Sequence, residues 1–346
     1  MLVYYLVLAA VIFIAAADNR LHFNIEQKIG KQAFILIALL LICVAGLRYG
    51  VGADYFFYYE NYDFYRTSEL VLNDEPVYKI LARISAIIYK DAATLMFICA
   101  ALTIGFMLVP IYKNSVMPLL SVILFLFLGT WHGTFNGIRQ YLAAAVLFAG
   151  HRFIKEKNFW KWCLVVLAAY FCHVTAAVAI IFYPFAQSKI SVKQLFISIV
   201  IIIAGLFAYD YIFEFIGYLK NDPIELNNYI TNSIKILRIA VAWVPVVFFL
   251  LHRKRYDTED TDFRCYFNLS LLNAVCMSVA SQSAYLGRIG IYLNVFNTIT
   301  WPLLIKPLDE RNKKVTLYIM IPLYLIYWSV EISGIDLRNF VWIFER

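Results

Sequence analysis

Apolar residues in this chain gather in long unbroken stretches separated by short polar connectors, not in the alternating or one-faced patterns of a soluble core. The stretches cover 2–17, 33–47, 92–112, 119–132, 138–154, 160–186, 195–216, 234–251, 265–286, 289–305 and 315–332. Most approach the roughly 20 residues with which a helix crosses the hydrocarbon core, so the chain reads as an all-α polytopic integral membrane protein with about 10 transmembrane helices. No long polar insert separates them, and residues 1–346 read as a single multi-span membrane domain.

One stretch breaks the alternation. The connectors holding Arg20, Lys28 and Lys31, then "HRFIKEK" with Lys161, then "HRKR" at 252–255, then Lys306 with "ERNKK", all carry the basic bias of a cytoplasmic side. A single span over 160–186 would put "HRKR" outside. Two short helices that dip in and return, bent near "FCHVT" with His173 at the tip, keep Lys189, Lys193 and "HRKR" inside. Irregular backbone at membrane depth is tolerated only beside protein or a watery cavity, so such a re-entrant hairpin near 160–186 would mark a cavity. The N-terminus, the loop 48–91, the turns at 130–138 and 287–288, the loop 217–233 and the C-terminus then share the outer side. Within 48–91, Val77, Ile80, Leu81, Ile84, Ile87 and Ile88 form one apolar helical stripe, which predicts an amphipathic helix on the membrane surface.

Composition sharpens this picture: 62% hydrophobic and 15% charged residues, with a mean hydropathy of +0.72, exclude a soluble enzyme. The six cysteines lie in or beside apolar runs without metal spacing and read as small core hydrophobes. The net charge of +7 suits anionic lipid or phosphate, and no basic-aromatic nucleic-acid module is present. The N-terminal run ends in an AxA-like tail but lacks a basic leader, so it is expected as an uncleaved first span. Under the assigned topology the inner side carries 12 Lys and 6 Arg and the outer side 4 Lys and 8 Arg. Outward arginines oppose the insertion bias; pairing with phosphate through the planar guanidinium fork is a reason to keep them.

The candidate chemistry follows those arginines. In "RYGVGADYFFYYENY" (48–62), Arg48 closes a span, Gly50 and Gly52 permit a tight turn, and a helix starting at Asp54 would align Asp54, Tyr58 and Tyr62. In "WHGTFNGIRQYLAAA" (131–145), Asn136 is a good N-cap, which leaves Arg139 in the first helical turn, where an anion would relieve its conflict with the helix dipole. Arg288 sits in an outward turn and Arg238 one turn into its span. Burying either at mid-membrane costs at least roughly 2.5 kcal/mol, so each is expected to face a partner or cavity, with Asp210 and Glu214 as candidate ion partners.

Four of these segments, "RYGVGADYFFYY", "NGIRQYLAAAVLFAG", "LAAYFCHVTA" and "GRIGIY", resemble in order and spacing the motifs of the EpsG-like family, a branch of bacterial Wzy-type O-antigen and exopolysaccharide polymerases. The likeness runs from about residue 4 to residue 305, with Ala53 in place of an expected polar residue and a poor match over 187–233. It implies a polymerase in the inner (cytoplasmic) membrane that joins undecaprenyl-pyrophosphate-linked oligosaccharide repeat units at the outer face. In that role Arg139 and Arg288 would stabilise the departing pyrophosphate with support from Arg48 and Arg238, and Asp54 or His173 would accept the acceptor hydroxyl's proton. Tyr55, Tyr58 and Tyr59 would bind sugars, and Asn136, Gln140 and Tyr292 in the same motifs, with His132 just ahead of the second, would be further substrate contacts. Asp54 lacks a close second acid, so neither metal nor cofactor is expected. A chain-length regulator and a flippase are the implied partners. Two rivals remain open: an O-antigen ligase using the same donor, and a lipid-linked oligosaccharide flippase or transporter.

Overall fold

The computed structural model describes residues 1–72, 74–208, 211, 236–282 and 287–346. Among them the secondary structure is helical apart from one two-residue strand pair. Three helices are long and apolar enough to cross a membrane, Ala92–Asn114, Ile236–Arg255 and Glu310–Ile332, and the other apolar helices have 10 to 17 residues.

The chain enters through α1 (Leu2–Asp18) and α2 (Lys31–Gly46), then passes two short aromatic helices, α3 (Tyr55–Glu60) and α4 (Tyr62–Thr67). The break at Asn61 takes Tyr62 off the expected Asp54–Tyr58–Tyr62 strip: its hydroxyl meets Ser85 Oγ at 3.1 Å instead. Next comes α5 (Pro76–Ile88), with proline at its first turn, where a missing N–H costs nothing. Its apolar stripe divides, Leu81 facing inward and Ile80, Ile84, Ile87 and Ile88 exposed. Lys79, off that stripe, is buried against Asp74 at 2.5 Å.

α6 (Ala92–Asn114) returns to the opposite end, and α7 (Pro118–Phe127) rises from it. Every residue of α7 is buried, the signature of a helix apolar all round at the centre of a bundle. The expected span 119–132 therefore ends early: Gly129 at φ +77° turns the chain into the single-turn α8 (Thr130–Gly133), and α9 (Ile138–Gly150) descends again. After α10 (Arg152–Lys155) and α11 (Phe159–Cys172), extended backbone at His173 leads into a 3-10 turn, Val174–Ile181, and α12 (Phe182–Gln187). The chain reverses here, since the Trp162 indole donates to the Ala179 carbonyl at 3.1 Å and the Phe159 and Tyr183 rings lie 5.1 Å apart.

α13 (Val192–Phe207) exposes Phe196, Val200, Ile203 and Phe207, a face suited to lipid. Asp210 and Glu214 lie outside the described residues. α14 (Ile236–His252) and α15 (Thr261–Val279) pack together, and a 3-10 turn, Ala280–Gln282, follows the latter up to the last described residue before 287. The stretch 289–305 is divided into α16 (Gly290–Asn294) and α17 (Asn297–Ile305), before α18 (Glu310–Ile332) and the single-turn α19 (Ile335–Arg338).

Segments assigned by charge to one side meet one another. The Met1 amine donates to the Arg338 carbonyl, Tyr4 Oη to the Leu337 carbonyl at 3.0 Å and Gly52 N to the Asp336 carbonyl at 2.9 Å. Arg48 and Tyr49 pair antiparallel with Trp342 and Val341, and Arg346 reaches Asp91 at 2.7 Å. At the opposite end, Lys313 pairs with Glu26 at 3.3 Å, Lys155 with Asp262 at 2.9 Å and Arg255 with Asp309 at 2.7 Å.

The approach of loop 48–54 to residues 135–137 requires a bare backbone. Gly52 has φ +110°, and a Cβ there would lie 2.5 Å from the Phe135 carbonyl oxygen. Gly52→Ala is expected to destabilise the detergent-solubilised protein by about 2 kcal/mol or more in thermal unfolding. Gly105→Ala, inside α6 where a Cβ meets nothing within 4 Å, should stabilise it by about 0.8 kcal/mol.

Candidate functional site

At the end where these segments gather lies a cavity of about 530 Å³. The turn between α7 and α9 forms one wall. Gly137, at φ +51°, caps α9, because left-handed backbone at that position favours glycine. Asn136, expected as the cap, is therefore displaced by one residue, and the carboxylate of Asp54 takes the free N–H of Gly137 at 3.0 Å. Asp54, Asn136 and Gln140 all border the cavity. Gln140 Nε2 donates to the Arg288 carbonyl at 3.0 Å and so ties the Arg288 turn to the same wall.

The opposite wall comes from α14, α15, α18 and α19, with Arg238, Asn273, Tyr327, Glu331 and Asp336 lining it. Arg238 is held by Glu331, its Nε 3.2 and 3.1 Å from the two carboxylate oxygens. The expected partners Asp210 and Glu214 lie outside the described residues. Glu331 is the one carboxylate within the apolar run 315–332, and that isolation is the sequence signal that could have found it. His132 borders the cavity too, but it is buried and accepts from Trp328 Nε1 at 3.3 Å.

Arg139 does not line the cavity. One residue earlier on α9 than Gln140, it points about 100° away, into a box of Tyr58, Tyr65 and Tyr78 whose ring centroids lie 5.5, 5.6 and 5.9 Å from the guanidinium carbon. The anion that offsets its charge is internal: Glu75 Oε2 lies 2.6 Å from Arg139 Nη1. The other oxygen of Glu75 accepts from His173 Nδ1 and from Val174 N at 3.3 Å. Burial by itself would raise the Glu75 pKa, but the His173 hydrogen bond and the Arg139 charge outweigh it and hold the carboxyl below its ordinary 4.5. Tyr292, buried beside the cavity wall, meets Thr175 Oγ1 at 2.6 Å and joins the hairpin tip to the Arg288 segment.

The remaining expected residues also lie apart from the cavity. Arg48, 2% exposed, donates to the carbonyls of Ala45, Val51 and Phe135 and packs against the Phe135 ring at 4.8 Å. Tyr55 is buried against Tyr49, Phe56 and Tyr59, and the Tyr59 hydroxyl accepts from Arg346 at 2.8 Å. Among the described residues no three His, Cys, Asp or Glu side chains come together as metal ligands.

Removing one partner of a buried ion pair leaves the other uncompensated, so Glu75→Ala is expected to cost about 3 kcal/mol or more in unfolding free energy, and Glu75→Asp less. Because the folded pKa of Glu75 is lowered, its stabilising contribution is complete above pH 4.5 and is lost as the pH falls below that value. The unfolding temperature should drop over this acidic range in the wild type and drop less in Glu75→Gln.

The chain matches the model of the EpsG family over residues 31–342 and belongs to that family. No curated protein and no solved structure matches it.

Proposed function

We propose that, as a member of the EpsG family, this chain is a polysaccharide polymerase of the cytoplasmic membrane, with the cavity open to its outer side. It transfers a growing glycan from undecaprenyl pyrophosphate to a lipid-linked oligosaccharide repeat unit. About ten membrane passes, some of them short or broken, and the outward cavity follow from the basic bias of the opposite end. One observation carries the reading: the segments around Asp54, Gln140 and Arg288, far apart in sequence, meet at a single cavity of about 530 Å³.

The acceptor hydroxyl oxygen attacks the anomeric carbon, the anomeric C–O bond to pyrophosphate breaks, and its electron pair leaves with the lipid pyrophosphate. The hydroxyl proton passes to Asp54, whose carboxylate is oriented by the Gly137 N–H. Arg288 meets the charge that develops on the departing phosphates, in a site where fixed charges act with little reorganisation. Arg238, already neutralised by Glu331, shapes that end. Arg139 and His173 act from behind the wall, through Glu75, and Arg48 braces the turn at 135.

Purified protein in lipid, given its lipid-linked repeat unit with no ATP and with chelator, should yield a ladder of multiples. Arg288→Ala is expected to slow the ladder by about 10²- to 10³-fold, the typical effect of removing one such donor. Intact wild-type protein that leaves the substrate unchanged would overturn the polymerase reading in favour of transport.

A further inference from the structure

Among the described residues four side-chain amides border the cavity: Asn136, Gln140, Asn273 and Asn294. Two are committed to the protein itself. Gln140 donates to the Arg288 carbonyl at 3.0 Å, and Asn294 donates to the Leu128 carbonyl at 2.8 Å, which fixes the start of the α7–α9 turn. Asn136 and Asn273 instead keep a buried amide oxygen without a hydrogen-bond partner among the described residues. Asn273 is 2% exposed, and it lies on α15 one turn before Met277, which also lines the cavity. Gly290 faces both: a Cβ there would come within 2.6 Å of Met277 Sδ and 3.5 Å of Asn273 Oδ1.

A buried amide oxygen without a donor is a cost that a packed apolar side chain would avoid. A ligand that supplies the donor removes it. Phosphate oxygens at neutral pH mainly accept hydrogen bonds and a polyprenyl chain offers none, so neither satisfies these oxygens. A sugar hydroxyl both donates and accepts, as an amide does. We propose that Asn273, with Asn136, forms a hydroxyl-reading subsite for a sugar ring of the lipid-linked substrate, distinct from the phosphate end at Arg288. This assignment rests on the polymerase reading and deepens it. The Asn273 amide is carried by a helix buried along most of its length, so it is held rigidly enough to discriminate the position of a hydroxyl.

Binding to the protein in lipid nanodiscs separates the two ends with two probes. One is undecaprenyl pyrophosphate, which has no sugar; the other is the lipid-linked oligosaccharide that accumulates in cells lacking this chain. Asn273→Ala is expected to weaken the oligosaccharide probe by about 3- to 10-fold, the loss of one hydrogen bond, and to leave undecaprenyl pyrophosphate binding unchanged. Arg288→Ala should weaken both. Equal weakening of both probes by Asn273→Ala, or of neither, overturns the subsite. Asn136→Ala provides the same comparison if Asn273→Ala lowers the unfolding temperature so far that folded protein is lost. Wild-type protein that binds both probes yet forms no ladder would remove the polymerase reading, and the two probes would still report on Asn273.

Discussion

The structure turns on one buried carboxylate. Glu75 reaches Arg139 with one oxygen and His173 and the Val174 amide with the other, and so fastens the surface loop, the start of α9 and the tip of the 159–187 hairpin to one another. Ions removed from water lose several kcal/mol of solvation each, which only close partners offset. The three segments are consequently confined to a geometry in which all the partners coincide. Glu75 itself takes left-handed backbone at φ +47°, unusual for a side chain of its size, and the surrounding contacts sustain that strain.

The same demand that no charge be left alone in a low dielectric shapes the rest of this end. Arg48 is spent on three carbonyls and Arg238 on Glu331, so both are fixed parts of the frame. The helices that border the cavity are interrupted where they reach it: α7 ends at Phe127, and the run from Gly290 to Ile305 is divided at Val295. Breaks of this kind free backbone groups that an unbroken helix would consume, and they are tolerated beside a cavity or protein but not against lipid.

The frame has a chemical consequence for the cavity. On α9, Arg139 and Gln140 point about 100° apart, the first into the Glu75 knot and the second toward Arg288. The knot holds the wall while the neighbouring residue faces the cavity. Thr175 and Tyr292 add a second tie between the hairpin tip and the Arg288 segment. A cavity whose walls are fixed in this way can hold preorganised charge at a reacting centre without moving to meet it.

The sequence by itself determined the class of fold and the grouping of its loops at two ends. Apolar runs near membrane length dictate helices because every backbone group in hydrocarbon must find its partner within the segment, and the basic connectors sort into two ends. It also singled out segments that border the cavity: Asp54, Arg238 and Arg288 as charges beside apolar runs, Asn136 as a helix cap, and Gln140 through the family resemblance. Helix breaks were less legible: Gly129 turns the chain inside the expected span 119–132, and a left-handed φ leaves no hydropathy signal. Which arginine faces the cavity was beyond the sequence as well. Arg139 is turned away because Glu75, 64 positions earlier, and His173, 34 positions later, arrive beside it. Periodicity records what lies within a few residues on one helix, whereas the pairing of a buried charge is settled by whichever distant side chain the packing brings within hydrogen-bond reach. That choice belongs to the tertiary structure alone.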